Sequence, residues 1–148
     1  MDDAHREIGG QRFNATWDLI DKGAARSADD DVEMLLSAMT SRWHWGQVGG
    51  PEEIATGDWQ VAHAASLLGL GDVALLFARR NLAIAETEGW DGWRLASAHE
   101  GMARACAANG DAAGRSQHLA AASAALANEP DAEETQIITE QLATVPEP

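Results

Sequence analysis

The sequence predicts an all-α fold, built as a stack of antiparallel helical hairpins with six or seven helices. Hydrophobic residues make up 45% of the chain and are mostly alanine and leucine, which are strong helix formers. These residues recur at helical spacing along most of the chain. Short Gly-Asp turns separate the helical segments, as closely packed hairpins require. The length of 148 residues favours a single domain.

Three helices are predicted in the first half of the chain. Residues 1–9 are polar and are expected to form a flexible N-terminus. The first helix is predicted from about Gln11 to Asp21. The second begins with Asp29-Asp30-Asp31, whose carboxylates can cap free backbone N–H groups, and it ends at the glycines of Gly46–Gly50. The third begins at Pro51, because proline is suited to the first helical turn.

Four further helical segments are predicted in the second half of the chain. Glycine turns and Pro130 separate them. They run from the Gly71-Asp72 turn to Gly89, from Trp93 to Ala108, from Ala112 to Ala127 and from Asp131 to Ala143. Residues 144–148 are predicted to be a tail, so that residues 10–143 form the single folded domain.

Two Gly-Asp turns indicate an internal repeat. Asp72 and Asp111 lie 39 residues apart, and alanines follow both turns at equivalent positions, Ala74 and Ala113. Small residues on both sides of a turn allow two antiparallel helices to pack closely. The spacing therefore predicts about three hairpins stacked side by side, followed by a C-terminal cap.

The charge of the chain limits its partners. The formal net charge is −14, and no stripe of arginine and lysine interrupts this acidity, so nucleic acids and anionic membranes are not expected as partners. No apolar stretch approaches the length of a membrane span, and the N-terminus lacks the features of a signal peptide. We therefore expect a cytoplasmic location. The one cysteine, Cys106, cannot form an internal disulfide.

The turn segments resemble degenerate tetratricopeptide-type hairpins over roughly residues 52–128. The resemblance implies a right-handed superhelix in which the first helix of each hairpin lines a concave face. Hairpin repeats of this kind usually serve as binding surfaces. The matching pattern is Leu68-Gly69…Gly71-Asp72…Ala74…Ala78 and Ala107…Gly110-Asp111…Ala113.

Over a longer range, from Phe13 to Pro146, the chain resembles a family of small bacterial helical proteins without an assigned activity. This resemblance implies a fold and a candidate pocket, and it implies no particular reaction. The matching segments are Phe13-Asn14…Trp17, Ser41…His44-Trp45, Gly57-Asp58-Trp59-Gln60 and Ala98-His99-Glu100…Ala103-Arg104.

Candidate ligand-binding residues lie mainly on the third and fifth helices, which are expected to line the concave face. Indole walls with a few polar groups are typical of small-molecule pockets. Alternatively, the tryptophans belong to the core, and two charged residues one helical turn apart form an ordinary ion pair. The predicted site consists of His44, Trp59, His63, Trp93, Ser97, Glu100 and Arg104.

Two functions of different classes are compatible with these residues. The first is a binding or scaffold module whose Trp-lined groove takes a peptide or a small ligand. The second is a small enzyme that uses His44, Glu100 and Arg104 for acid–base chemistry in a closed pocket. Self-association into a homo-oligomer is a third possibility. No metal or cofactor is expected, because the histidines lack close ligand spacing and no phosphate-binding glycine loop is present.

Overall fold

The computed structural model describes residues 2–148, and within this range the chain forms helices and no strands. The all-α prediction is confirmed, and the number of α-helices in the described residues is at the upper end of the expected range. The helices are α1 (Asp2–Asp21), α2 (Ala28–Val48), α3 (Pro51–Leu67), α4 (Gly71–Thr87), α5 (Gly92–Ala108), α6 (Ala112–Leu126) and α7 (Ala132–Ala143). A short 3₁₀ turn, Gly23–Ala25, connects α1 to α2.

Helix α1 begins at Asp2, well before its predicted start at Gln11. Residues 2–9 of the segment predicted as flexible are therefore helical, while Met1 lies outside the described residues. The reason is tertiary packing at Gly9, which is buried directly against the Trp45 indole. The Gly9 carbonyl also accepts a hydrogen bond of 2.7 Å from Ser41 Oγ. Gly9 is thus the point where α1 approaches α2 closely.

Helix α2 ends within the glycine segment that was predicted to end it, Gly46–Gly50. Ser27 caps its first turn by accepting from the Asp30 backbone N–H at 3.0 Å, while Asp30 accepts from the Ser27 backbone N–H. The helix continues through Gly46 to Val48. A glycine inside a helix costs only about 1 kcal/mol relative to alanine, which tertiary packing readily offsets.

Two of the helix-ending turns share their backbone geometry at a spacing longer than the Gly-Asp pairs suggested. Gly69 and Gly110 both have a φ of 71° and end their helices in the same way, and they lie 41 residues apart. The predicted step of 39 residues aligned Asp72 with Asp111 instead. The structure corrects it, because the left-handed glycine and not the following aspartate marks the equivalent position in each turn.

Successive helices run antiparallel, as hairpins do. The side chain of Arg6 near the start of α1 donates to the carbonyl of Val48 at the end of α2, at 2.8 Å. Further along α1, Arg12 lies 3.7 Å from Glu33, near the start of α2. Residues later in α1 therefore contact residues earlier in α2, which is the pattern of an antiparallel pair.

Alternate helices run parallel and share one side of the stack. Glu52 at the start of α3 pairs with Arg94 at the start of α5, at 3.1 Å. Farther along the same two helices, Trp59 contacts Glu100. Helix α1 packs against α3 in addition, and α7 packs against α5. We call the surface formed by α1, α3, α5 and α7 the odd-helix face.

Small residues dominate the packing between the helices. One core cluster joins α3, α4 and α5 through Ala62, Ala65, Ala74, Ala78, Met102 and Ala105. A second cluster fixes α7 to α5 and α6 through Ala96, Ala122, Ala125, Leu126 and Ile138. Alanine side chains let the helix axes come close.

The predicted tail is attached to the stack. Val145 is buried, and Arg115 of α6 donates to the Val145 carbonyl at 3.1 Å and to the Pro146 carbonyl at 2.7 Å. The segment after α7 therefore packs along the domain surface.

Candidate functional site

The odd-helix face contains a cavity of about 200 Å³, which we call the central cavity. All four odd-numbered helices contribute to it, and its walls are largely aromatic. Among the predicted site residues, Trp59, Trp93 and Ser97 line it. The structure adds Phe13 and Trp17 from α1, Trp90 from the turn before α5, and Gln141 from α7.

The orientation of Trp59 is fixed by a buried carboxylate. The indole Nε1 donates to Glu100 Oε2 at 2.7 Å. Glu100 is fully buried, and its second oxygen accepts from Arg104 Nε at 2.8 Å and from Arg104 Nη2 at 2.6 Å. Gly101 leaves room for the indole, since a Cβ there would lie 3.3 Å from Trp59 Cδ1. Trp59 is therefore held before any ligand arrives.

Arg104 extends this network to the end of α7. Its Nη2 donates to Thr144 Oγ1 at 2.8 Å and to the Gln141 carbonyl at 3.3 Å. Arg104 is 4% exposed and Glu100 is 0% exposed, so the pair is not the ordinary solvated ion pair that was the alternative prediction. Both residues lie behind the lining of the central cavity. They hold Trp59 and α7 in place.

His63 faces an adjoining cavity of about 660 Å³, which we call the His63 cavity. Trp17, Ile137 and Gln141 line both cavities, so the two are neighbouring parts of one groove. The His63 ring lies 5.0 Å from the Trp59 ring. Among residues 2–148, its buried Nδ1 has no hydrogen-bond partner.

The electrostatic environment keeps His63 neutral. Burial, together with the smaller effects of the positive charges of Arg104 and Arg26, lowers the pKa of this imidazole from 6.5 to about 3. At neutral pH the side chain therefore offers one N–H donor and one nitrogen acceptor without a net charge.

His44 does not join the other predicted residues. It lies on α2, where its Nδ1 shares a hydrogen bond of 2.8 Å with Nδ1 of His5. Its ring meets the Trp43 ring edge-on at 5.0 Å. The acid–base pocket expected from His44, Glu100 and Arg104 is therefore not assembled. An even-numbered helix such as α2 contributes to the opposite layer of the stack.

A second buried polar atom in the groove, besides His63 Nδ1, has no partner among the described residues. Gln141 Oε1 is buried and accepts no hydrogen bond from the described residues. A buried acceptor without a donor costs about 1–3 kcal/mol. Gln141 lines both cavities, so a molecule in either could supply the missing donor.

The lining of the central cavity includes a guanidinium that contacts two indoles. The Arg94 guanidinium lies 5.1 Å from the Trp90 ring and 4.7 Å from the Trp93 ring. Its Nη2 is 3.1 Å from Glu52 Oε2. Such cation–π contacts hold both rings in a defined position.

The contributions of α1 and α7 were not predicted from the sequence. Phe13 and Trp17 lie four residues apart in the predicted first helix, and this helical period was the available signal. That period does not show which helix they meet. Gln141 gave no signal, because an amide in an amphipathic helix is ordinary until its burial is known.

The described residues contain neither a metal-binding cluster nor a helix that could span a membrane. Within residues 2–148 no three histidine, cysteine, aspartate or glutamate side chains gather as a metal site would require. Over the same residues, no helix combines the length and apolar character needed to cross a bilayer.

Comparison with known proteins gives no relative. No protein-family model matches the chain, and neither a curated protein nor a solved structure gives a significant match. The chemistry of the groove is therefore inferred from its own residues.

Proposed function

We propose that this protein is a binding module that holds a peptide or a small molecule in the groove of its odd-helix face. The observation that carries the proposal is the buried, unpartnered Gln141 Oε1 beside a cavity walled by aromatic side chains. An apolar pocket with a few convergent polar groups is the usual form of a ligand site. A ligand with an apolar group and an N–H or O–H donor would satisfy both features.

The dimensions of the groove favour a ligand in two parts. The central cavity of about 200 Å³ is smaller than a typical drug-sized pocket of about 300–1,000 Å³ and suits one ring or one side chain. The His63 cavity of about 660 Å³ leaves room for the remainder. An extended peptide fits this division, because its backbone supplies the donors and acceptors that Gln141 and His63 lack.

The groove is arranged in advance of binding. Trp59 is fixed by Glu100, and Trp93 is stacked against Arg94. Little side-chain ordering would then oppose binding, which improves affinity for a given contact area. A role in acid–base catalysis has no such support, since the predicted catalytic groups are not brought together.

Three further expectations belong to this proposal. The stack is expected to follow a tetratricopeptide-like right-handed superhelix, as in bacterial helical-repeat proteins. The partner is expected to be a peptide, a protein or a small molecule and not a nucleic acid, because a net charge of −14 repels phosphate backbones. The place of action is expected to be the cytoplasm.

Binding can be tested through the intrinsic tryptophan emission of the purified protein. The probes are benzylamine and a set of blocked dipeptides that each carry one phenylalanine or one aliphatic side chain, since none of them contains an indole that would itself emit. We expect a saturable shift in emission with at least one probe, confirmed by calorimetry. No saturable change with any of them would overturn the proposal.

A matched pair of variants on α7 tests the role of the unpartnered acceptor. Gln141→Met keeps the volume of the side chain and removes the acceptor, so the affinity for a hit should fall by about tenfold or more. Gln136→Met is the control, because Gln136 is exposed on the same helix and donates to Glu140. Equal affinities for Gln141→Met and the parent would contradict the assigned site.

A further inference from the structure

Helix α2 buries one face in the domain and leaves an apolar face uncovered on the opposite side. The inner face consists of Met34, Ser37, Ala38 and Ser41, all buried. The outer face carries Val32, Leu36, Met39 and Trp43, which are 60%, 55%, 36% and 57% exposed. We call these four residues the α2 stripe.

The α2 stripe is a continuous surface. Steps of 4, 3 and 4 residues keep its side chains within an arc of about 60° on a helix with 3.6 residues per turn. Of the eight large apolar side chains that are exposed in residues 2–148, four belong to it. Together they expose on the order of 400 Å² of largely apolar surface, the size at which a patch on a monomer is often functional.

We propose that the α2 stripe is an interface between two copies of this chain, with the two α2 helices packed antiparallel about a two-fold axis. The spacing between successive residues of the α2 stripe is 4, 3 and 4, which reads the same in both chain directions. A two-fold axis between Leu36 and Met39 therefore places Leu36 against Met39 of the second copy. The same axis places Val32 against Trp43 of the second copy. Self-complementarity of this kind is what a two-fold interface requires.

The charges along α2 favour the antiparallel direction. All four of its carboxylates, on Asp29, Asp30, Asp31 and Glu33, lie near its start. Residues 34–48 carry no carboxylate, and Arg42 within them is paired with the buried Asp58 at 2.6 Å. An antiparallel pair sets each acidic start beside the carboxylate-free end of the other helix, and it also aligns the helix dipoles favourably. A parallel pair would bring eight carboxylates together.

Trp43 is suited to be the anchor of this interface. Its ring packs at 5.7 Å from the His5 ring and edge-on at 5.0 Å from the His44 ring, so it is held in place on the outside of the domain. Preordered tryptophans dominate the binding energy of many interfaces. The limited area predicts a weak dimer with a dissociation constant in the micromolar range, since stable interfaces usually bury about 1,200 Å² or more in total.

Sedimentation of the full chain over the micromolar concentration range tests the proposal. We expect a reversible monomer–dimer equilibrium that Leu36→Glu abolishes. The matched control is Leu76→Glu on α4, because Leu76 is 57% exposed and lies outside the α2 stripe. A parent that stays monomeric, or two variants that behave alike, would overturn the proposal. If the parent is monomeric, the α2 stripe would instead be a binding surface for a different protein.

The antiparallel register can be tested by complementation. Leu36→Lys and Met39→Glu should each be monomeric, because a charge would face an apolar side chain of the second copy. A mixture of the two variants should dimerise, since Lys and Glu then meet across one contact and Leu36 and Met39 meet across the other. A parallel pair offers no such match. A mixture that stays monomeric while the parent dimerises would overturn the antiparallel arrangement.

Discussion

Trp59 and Trp43 lie on consecutive helices and show how differently the two layers of the stack use an indole. Trp59 is 6% exposed, and its N–H is bonded to a fully buried glutamate. Trp43 is 57% exposed and packs against two histidine rings. The Trp59 indole is fixed by its hydrogen bond to Glu100 and forms part of a cavity wall. The Trp43 indole packs against histidine rings at its side, and the rest of its surface is exposed to solvent. Helical periodicity places both residues on apolar faces and does not distinguish them.

The largest effect is expected where the inner network is broken. Glu100→Gln removes the only carboxylate bonded to Arg104 and leaves a guanidinium that is 4% exposed. Breaking a buried pair by neutralising one partner costs about 3 kcal/mol or more. Urea unfolding followed by circular dichroism measures this loss.

The control for that variant is Glu147→Gln. Glu147 pairs with Arg115 at 3.4 Å, but its side chain is 84% exposed, so the unfolding midpoint should not change measurably. A Glu100→Gln variant as stable as this control would show that the inner network does not support the fold.

A second variant pair compares the two indoles directly. Trp59→Phe removes the N–H donor and leaves Glu100 Oε2 without its bond, so the free energy of unfolding should fall by about 2 kcal/mol. Trp43→Phe keeps an aromatic ring at an exposed position and should change stability by less than about 0.5 kcal/mol. Thermal and urea unfolding of both variants provide the measurement. Equal losses would mean that the outer indole is as tightly integrated as the inner one.

Per pH unit, the effect expected from the pH dependence of the inner layer is smaller than the losses expected for Glu100→Gln and Trp59→Phe. Because the folded-state pKa of His63 is lowered to about 3, the unfolded chain takes up a proton below pH 6.5 that the folded chain does not. Stability should therefore fall as the pH is lowered through this window, with a contribution of up to about 1.4 kcal/mol per pH unit. His63→Phe should show a shallower slope of unfolding free energy between these values.

Other titratable groups also affect the pH dependence of stability, and they are present in both the parent and the His63→Phe variant. Burial also lowers the pKa of His99 and His118, while burial raises the pKa of Asp58, which acts in the opposite direction. The difference between the parent and His63→Phe isolates the one histidine. Identical slopes for the two proteins would contradict a buried, neutral His63.

The site was partly predictable for a physical reason. Trp59, Trp93 and Ser97 lie on the faces of α3 and α5 that the helical period selects, and both helices line the central cavity. His44 was misplaced, because a helical period gives a face and not the layer to which the helix belongs. The role of Glu100 was also hidden, since sequence spacing is the same for an exposed ion pair and for a buried one.

The amino-acid sequence by itself determined the all-α class, the approximate positions of the helices and the glycines that end them, because these depend on local propensity and spacing. Only the tertiary structure decided that α1 runs through Gly9, that Glu100 is buried beneath Trp59, and that Gln141 is left without a partner. Those outcomes depend on which helices pack together and on the register in which they pack. Contacts between residues far apart in the chain determine the choice of partner helix and the register.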